Sequence, residues 1–261
     1  RWSIPVSGSN GIEFQDMRFA YGSGGWALDV PRLRLGQERV TCIVGPNGSG
    51  KSTLLRLAAG LLPPHSGAVR LDGRSLSSLS RRAIARRLGF LPQENAPLFD
   101  VPVEAAVRMG HYVHGGWIGA LTREDHRAVK TALAAVGMER MRTRPLSQLS
   151  GGERRRALIA AVLAQEAGLM LLDEPTAALD IHHAASVMRL LSECGAEGRS
   201  VVVVTHDLNL ASLFGERLLM LSNGRITADG PPEKVIGQDV IRAAYGANVI
   251  VTRTRKPADP W

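Results

Sequence analysis

The sequence is short of cysteine, of aromatic residues and of long apolar runs, and each shortage closes off a class of protein. Only two cysteines occur in 261 residues, Cys42 and Cys194. They are far apart and lack metal-ligand spacing, which argues against a disulfide scaffold or a zinc site and makes a reducing, cytosolic compartment the expectation. Aromatics make up 5 % of the chain. None is interleaved with the basic residues, so the formal charge of +8 does not point to nucleic acid. Those basic residues are dispersed over Arg81-Arg82, Arg86-Arg87, Arg154-Arg155-Arg156 and a tail from Arg253 to Lys256, and read as solvated surface. No window reaches the ~18 consecutive apolar residues of a membrane-spanning helix. The N-terminus has no charged-then-apolar secretion pattern, so any membrane connection is expected to come through a partner.

What is present is an ordinary α/β composition, 44 % hydrophobic and 21 % charged, long enough to bury a sizeable core. Residues 11 to 19 alternate weakly between apolar and polar. Val40 to Val44 is a short β-rich run, and from Gly45 a glycine-rich loop opens a helix predicted over 51 to 60. Leu62-Pro63-Pro64 stops that helix, and Ala68 to Leu71 runs as a strand into an Asp72-Gly73 turn. From 94 to 165 the chain is rich in Ala, Arg and Leu at helical spacing, broken at Pro97, Pro102, Gly115-Gly116 and Pro145. This predicts a helical insertion, 94–165, between two parts of an α/β core, 1–93 and 166–250, with a tail at 251–261. Beyond it come a strand over Leu169 to Leu172, a helix over 181 to 194, a strand over Ser200 to Thr205 and a helix over 208 to 214. A hairpin, 217–221 and 225–228, follows around Asn223-Gly224. Continuous apolar strands alternating with helices predict a largely parallel sheet covered on both faces.

Gly45-Pro46-Asn47-Gly48-Ser49-Gly50-Lys51-Ser52, followed by Thr53, fits the phosphate-loop pattern and sits where that pattern belongs, after a strand and opening a helix. Glycines let backbone N–H groups approach and encircle phosphate oxygens, and the helix N-terminus adds partial positive charge. Lys51 supplies a point charge for the β and γ phosphates, and the Ser52 hydroxyl suits Mg²⁺. A second pair, Asp173-Glu174, closes the apolar run Leu169-Met170-Leu171-Leu172. At the C-terminal end of a buried strand, where ligands bind in open α/β sheets, Asp173 would hold Mg²⁺ through water and Glu174 would orient the attacking water or take its proton.

The pentapeptide Leu149-Ser150-Gly151-Gly152-Glu153 has two readings. Ser150 and Glu153 satisfy a capping box ahead of an apolar helical face. A capping box does not explain two consecutive glycines, each costing about 1 kcal/mol relative to Ala within a helix. Glycines make sense there if an anion approaches the backbone amides at a helix start.

In this order, phosphate loop, pentapeptide, then paired acids, the chain resembles the ATP-binding subunit of an ABC transporter from about residue 11 to about 250. The resemblance implies a single α/β P-loop ATPase domain with a mostly parallel sheet, an antiparallel β subdomain and a helical subdomain. It further implies that two copies sandwich two ATP molecules, Ser150, Gly151 and Gly152 of one touching the γ phosphate held by Lys51 of the other. By the same resemblance Gln93 reaches Mg²⁺ and the attacking water and lies at the junction with the membrane subunit. His206 contacts the γ phosphate, Tyr21 stacks on adenine, and Asp180 belongs to the loop that usually reads Ser-Ala-Leu-Asp. Ala177 departs from that loop and Ala161 from the arginine common at its position. His182-His183 and His111/His114 read as surface or interface histidines rather than metal ligands.

The segment Asp100 to Glu104 and Arg108 to His111, the Leu-Ser-Gly-Gly-Glu form and Leu179-Asp180-Ile181 with His183 are similar to importers of iron-siderophore, haem and cobalamin type. That implies two membrane-spanning permease subunits, a substrate-binding protein acting through them, and a place on the cytoplasmic face of a bacterial inner membrane. The alternatives are the ATPase of an exporter or lipid transporter, or a soluble iron-sulfur assembly ATPase.

Overall fold

Alternating burial builds the first of two sheets. In the computed structural model, which describes residues 11–22, 25–93, 100–114, 122–246 and 250–252, β1 (Ile12–Phe19) and β2 (Leu28–Leu35) pair antiparallel. They send Ile12, Phe14, Met17, Leu28, Val30 and Leu33 into one core. Asp16, at φ 46°, shifts the alternation in mid-strand, and a Cβ at the facing Gly67 would collide with the carbonyls of Gln15 and Asp16. β4 (Ser66–Leu71) and the short β5 (Arg74–Ser75) complete the order β2-β1-β4-β5. The Asp72-Gly73 turn between them has both residues at positive φ, 51° and 77°, as a two-residue hairpin requires.

Continuous burial builds the second sheet. β3 (Val40–Val44), β7 (Leu169–Asp173) and β8 (Ser200–Val204) are buried at every position. With β6 (Leu88–Leu91), β9 (Arg217–Ser222) and β10 (Arg225–Gly230) they form the order β10-β9-β3-β8-β7-β6, parallel except for β10. Alternate residues feed cores on opposite faces: Met170, Leu172, Val201 and Val203 on one side, Leu169, Leu171, Val202 and Val204 on the other. That is why these runs are mostly apolar rather than alternating, with Thr41, Asp173 and Ser200 the exceptions in β3, β7 and β8.

On the first face α6 (Ile181–Ala196) and α7 (Leu208–Phe214) cover the sheet; on the second, α1 (Lys51–Ala58) packs between the two sheets. The region between β6 and β7 carries α3 (Val103–His111), α4 (Arg123–Ala135) and α5 (Gly151–Ala164). α3 and α5 approach at backbone contact, because a Cβ on Gly110 would collide with the Ala161 carbonyl. The departure at Ala161 thus lies at a close helix crossing. The expected breaks at Pro97 and Gly115-Gly116 lie outside the described residues.

The predicted helix over 51 to 60 ends at Ala58, with Gly60 at φ 67° beyond it. Among the elements not predicted as such are β2, β5, α2 (Arg81–Ala85), α8 (Pro232–Val235) and α9 (Gln238–Tyr245). The Asn223-Gly224 turn, at φ 47° and 73°, closes the β9–β10 hairpin and also joins the sheets. The Gly224 amide donates to Ser49 of the phosphate loop (3.1 Å), and its carbonyl accepts from the Asp29 amide on β2 (2.8 Å).

Candidate functional site

The loop from Gly45 to Ser52 leaves the C-terminal edge of β3 and enters α1. Gly45, at φ 148°, has no room for a side chain, since a Cβ would meet the Leu221 carbonyl. Gly48 and Gly50, at φ 76° and 106°, turn the loop through backbone regions closed to most residues. The Lys51 ammonium lies buried beneath it and donates to the carbonyls of Gly45 and Pro46, both at 2.8 Å. Burial pushes its pKa down, opposed by the carboxylates of Glu174 and Asp173. Ser49 and Thr53 are buried, Ser52 is half-buried, and the Ser49 Oγ has no hydrogen-bond partner among the described residues.

Asp173 ends β7 fully buried, and neither carboxylate oxygen has a hydrogen-bond partner among the described residues. Burial raises its pKa; the Ser52 hydroxyl, close by but outside hydrogen-bonding geometry, opposes the rise. An orphaned carboxylate beside a serine hydroxyl is a hard, all-oxygen donor set, the chemistry Mg²⁺ prefers. Asp173→Asn is therefore expected to stabilise the nucleotide-free chain at neutral pH, on the order of 1 kcal/mol, because burial outweighs the opposing pull of Ser52, Arg56 and Arg155 on the charged form. The folded state holds this proton more tightly than the unfolded chain, so the penalty is absent below the ordinary aspartate value of ~3.9, grows between it and the raised folded value, and is complete above that. Scanning calorimetry should show the variant's higher Tm at neutral pH and no difference in acid; an unchanged or lower neutral Tm contradicts it.

Glu174 takes φ 50°, rare for a side-chain-bearing residue, and its amide donates to Val204 (2.9 Å). Its carboxylate faces His206, with Oε2 3.7 Å from Nδ1, and the histidine side chain is two-thirds exposed. Glu174, His206 and Gln93 line a cavity of about 490 Å³ together with Gly45, Pro46, Asn47 and Tyr245. The structure thus brings the phosphate loop, a carboxylate, a histidine and an amide to one opening. A cavity so lined can hold a polyphosphate against backbone amides and present a water to a carboxylate.

Tyr21, Ser150, Gly151, Gly152 and Asp180 are not among the residues lining that cavity. Tyr21 is half exposed, edge-on to Phe19 and stacked at 6.4 Å on Trp26, which lies against the turn at Gly50. It is no core anchor. Ser150 caps α5 in a full capping box: its Oγ accepts from the Glu153 amide (3.2 Å) and donates to Glu153 Oε2 (2.9 Å), which also accepts from the Ser150 amide (2.8 Å). The two glycines after it differ. A Cβ on Gly152 would press on Leu179 and the Ala178 carbonyl at 3.1 and 3.2 Å, whereas Gly151 is exposed with ordinary room. Close packing against the 176–180 loop therefore accounts for Gly152, and only Gly151 needs another cause. Asp180 caps α6 through the His183 amide (2.8 Å) and binds the His183 ring. Its carboxylate and the rings of His182 and His183 bring donor atoms within 4.8 Å of one another.

Three features depart from the sequence reading or escaped it. Arg155, read as solvated surface, is 5 % exposed. His111 is not a surface residue either: its buried ring sits 2.8 Å from the Ala164 carbonyl and 3.3 Å from Asp125, joining α3 to α5 and α4. Tyr245 reaches the cavity from α9, its hydroxyl buried without a hydrogen-bond partner among the described residues and its pKa raised by that burial. No short motif announces a residue 200 positions downstream of the loop it faces.

A profile of the ABC transporter family matches residues 28–177. The chain is 46 % identical to the hemin import ATP-binding protein HmuV of Streptomyces coelicolor, over 86 % of this chain and 79 % of that one. It is 41 % identical to the ferric enterobactin transport ATP-binding protein FepC of Escherichia coli, over 81 % and 78 %. Among solved structures it is similar to a dimeric ATP-binding cassette in a post-hydrolysis state bound to ADP and Pi, with a TM-score of 0.75, 30 % identity, and 87 % and 99 % of the two chains covered.

Proposed function

Because the chain belongs to the ABC transporter family and is its ATPase component, we propose that it powers an importer of metal chelates, of iron-siderophore, haem or cobalamin type, by ATP-driven closure of two copies. The observation that carries this reading is the shared opening of Gly45–Asn47, Gln93, Glu174 and His206 over a buried Lys51. The import names of the relatives support the transport direction and cargo class. On this reading the membrane part belongs to permease subunits and this chain to the cytoplasmic face, which the transport names of the relatives support; among the described residues no helix is long and apolar enough to cross a membrane.

In the mechanism, the amides around Gly48 and Gly50 cradle the phosphates and Lys51 leaves its two carbonyls for the β and γ oxygens. Ser52, Asp173 and Gln93 would hold Mg²⁺, which supplies charge neutralisation at the phosphates when bound. Glu174 orients the attacking water and takes its proton, and His206, above it, meets the γ phosphate. Tyr21 offers its exposed ring to the adenine. Ser150, Gly151 and Gly152 of the second copy complete the site, with Asp180 at the seam. ATP drives closure because it binds the closed pair better than the open one. Ser150 then trades Glu153 for the γ phosphate.

Co-expression with candidate permeases tests the reading. Capture of a many-helix membrane subunit, with ATP turnover raised by a chelate-loaded binding protein in the reconstituted complex, is expected. A soluble partner without spans, or stimulation only by an exported compound or lipid, overturns it.

A further inference from the structure

One buried cation is bound by carbonyls from two loops of the site. Arg155 lies on the second turn of α5, five residues after Ser150, and its guanidinium has no hydrogen bond to a carboxylate among those described. One terminal nitrogen donates to the carbonyls of Pro92 (2.8 Å) and Gln93 (3.4 Å). The other donates to the carbonyls of Asp173 and Glu174, the latter at 2.7 Å. Its Nε is buried without a partner among the described residues.

A charge held this way is costly: burial pulls the guanidinium pKa down to about 10, against the pull of Asp173 and Glu174. An apolar residue of similar volume would avoid that cost. What the arginine supplies is geometry. A planar fork fixes several acceptors at once, and here they are the backbones of Gln93, Asp173 and Glu174. The Glu174 peptide is held at both ends, its amide on Val204 and its carbonyl on Arg155, which keeps the residue in its uncommon φ of 50°.

We propose that Arg155 is a positioning residue that ties the Ser150 end of α5 to the two loops that carry out hydrolysis in the same subunit. ATP gripped by Ser150 and Gly151 on behalf of the other copy thereby sets Gln93 and Glu174 at this copy's own ATP, and the two sites are coupled. The proposal rests on the roles given above to Glu174 and Ser150.

Arg155→Lys keeps the charge but loses the fork, and Arg155→Gln keeps an amide donor. In the purified chain, Arg155→Lys is expected to bind a fluorescent ATP analogue within about twofold of wild type while kcat falls about tenfold or more, the scale of a catalytic group moved out of place. The dependence of rate on ATP should lose its sigmoidal form. Arg155→Gln should fall further. A residue needed only for folding would lower binding and kcat together with Tm. Wild-type kcat and Hill coefficient in a folded Arg155→Lys chain overturn the proposal, as does a non-cooperative wild type. Should both variants fail to fold, hydrogen exchange in the wild-type chain decides. Amides at 91–93, 173–178 and the first turn of α5 should gain protection at one Mg-ATP midpoint, and separate midpoints refute the link. Glu174→Gln run alongside keeps the readings apart: wild-type turnover there removes the base assignment, while the Arg155 variants still report on coupling.

Discussion

Lys51→Ala is expected to reduce ATP affinity by about 10²-fold or more, because truncating one partner of a buried, charge-assisted contact costs about 2–5 kcal/mol and each ~1.4 kcal/mol is a factor of ten. The ammonium is already stripped of water in the nucleotide-free chain, where it holds the Gly45 and Pro46 carbonyls. Its desolvation is met on folding, so binding exchanges two carbonyl acceptors for phosphate oxygens, a gain in charge complementarity with little new dehydration. Alanine removes that gain and leaves the two carbonyls facing the cavity floor. Isothermal titration with ATP, with a melting curve to confirm folding, measures it. An affinity within threefold of wild type places the phosphates elsewhere.

For Glu174→Gln the expectation is the opposite split: binding preserved within about twofold and turnover reduced about 10²-fold or more, the range contributed by a positioned general base. Glutamine keeps the shape and can still orient a water, but it cannot take the proton. The carboxylate is well placed for that step, lining the cavity with Gln93 and His206 while its neighbour Asp173 is buried beneath. Single-turnover hydrolysis by the variant, with nucleotide binding measured in parallel, separates the two effects. Wild-type turnover would show that another group, His206 being nearest, accepts the proton.

The phosphate loop was legible because a turn that needs glycines at positive φ is written in nearby residues, and the Asp173-Glu174 pair because two acids close an otherwise apolar strand. The parallel strands were legible because β3, β7 and β8 are buried at every position and are apolar at all but Thr41, Asp173 and Ser200. β2 was hidden because Pro31, Arg32 and Arg34 stand on its exposed side and break the apolar pattern. α2 was hidden by its length, five residues capped by Ser80. Arg155 sat in a run of three arginines that looks like surface; its burial depends on four carbonyls that only the fold brings together. The capping box at Ser150 was readable as such. That Gly152 also answers to Leu179 and Ala178 was not, since the two segments meet only in the folded chain.

Two hairpins of this chain turn on the same chemistry, Asp72-Gly73 and Asn223-Gly224, yet they are not equivalent to anyone who wishes to label the protein. Hairpin tips ordinarily tolerate insertions, tags and permuted termini. At Gly73 nothing stands within 4 Å of where a side chain would begin, and a probe grafted there has open solvent before it. At Gly224 the Ala27 carbonyl fills that place, and the amide is pinned to Ser49 of the phosphate loop. A graft at the second turn would have to displace the Ala27 carbonyl and, with it, the turn that buttresses the phosphate loop.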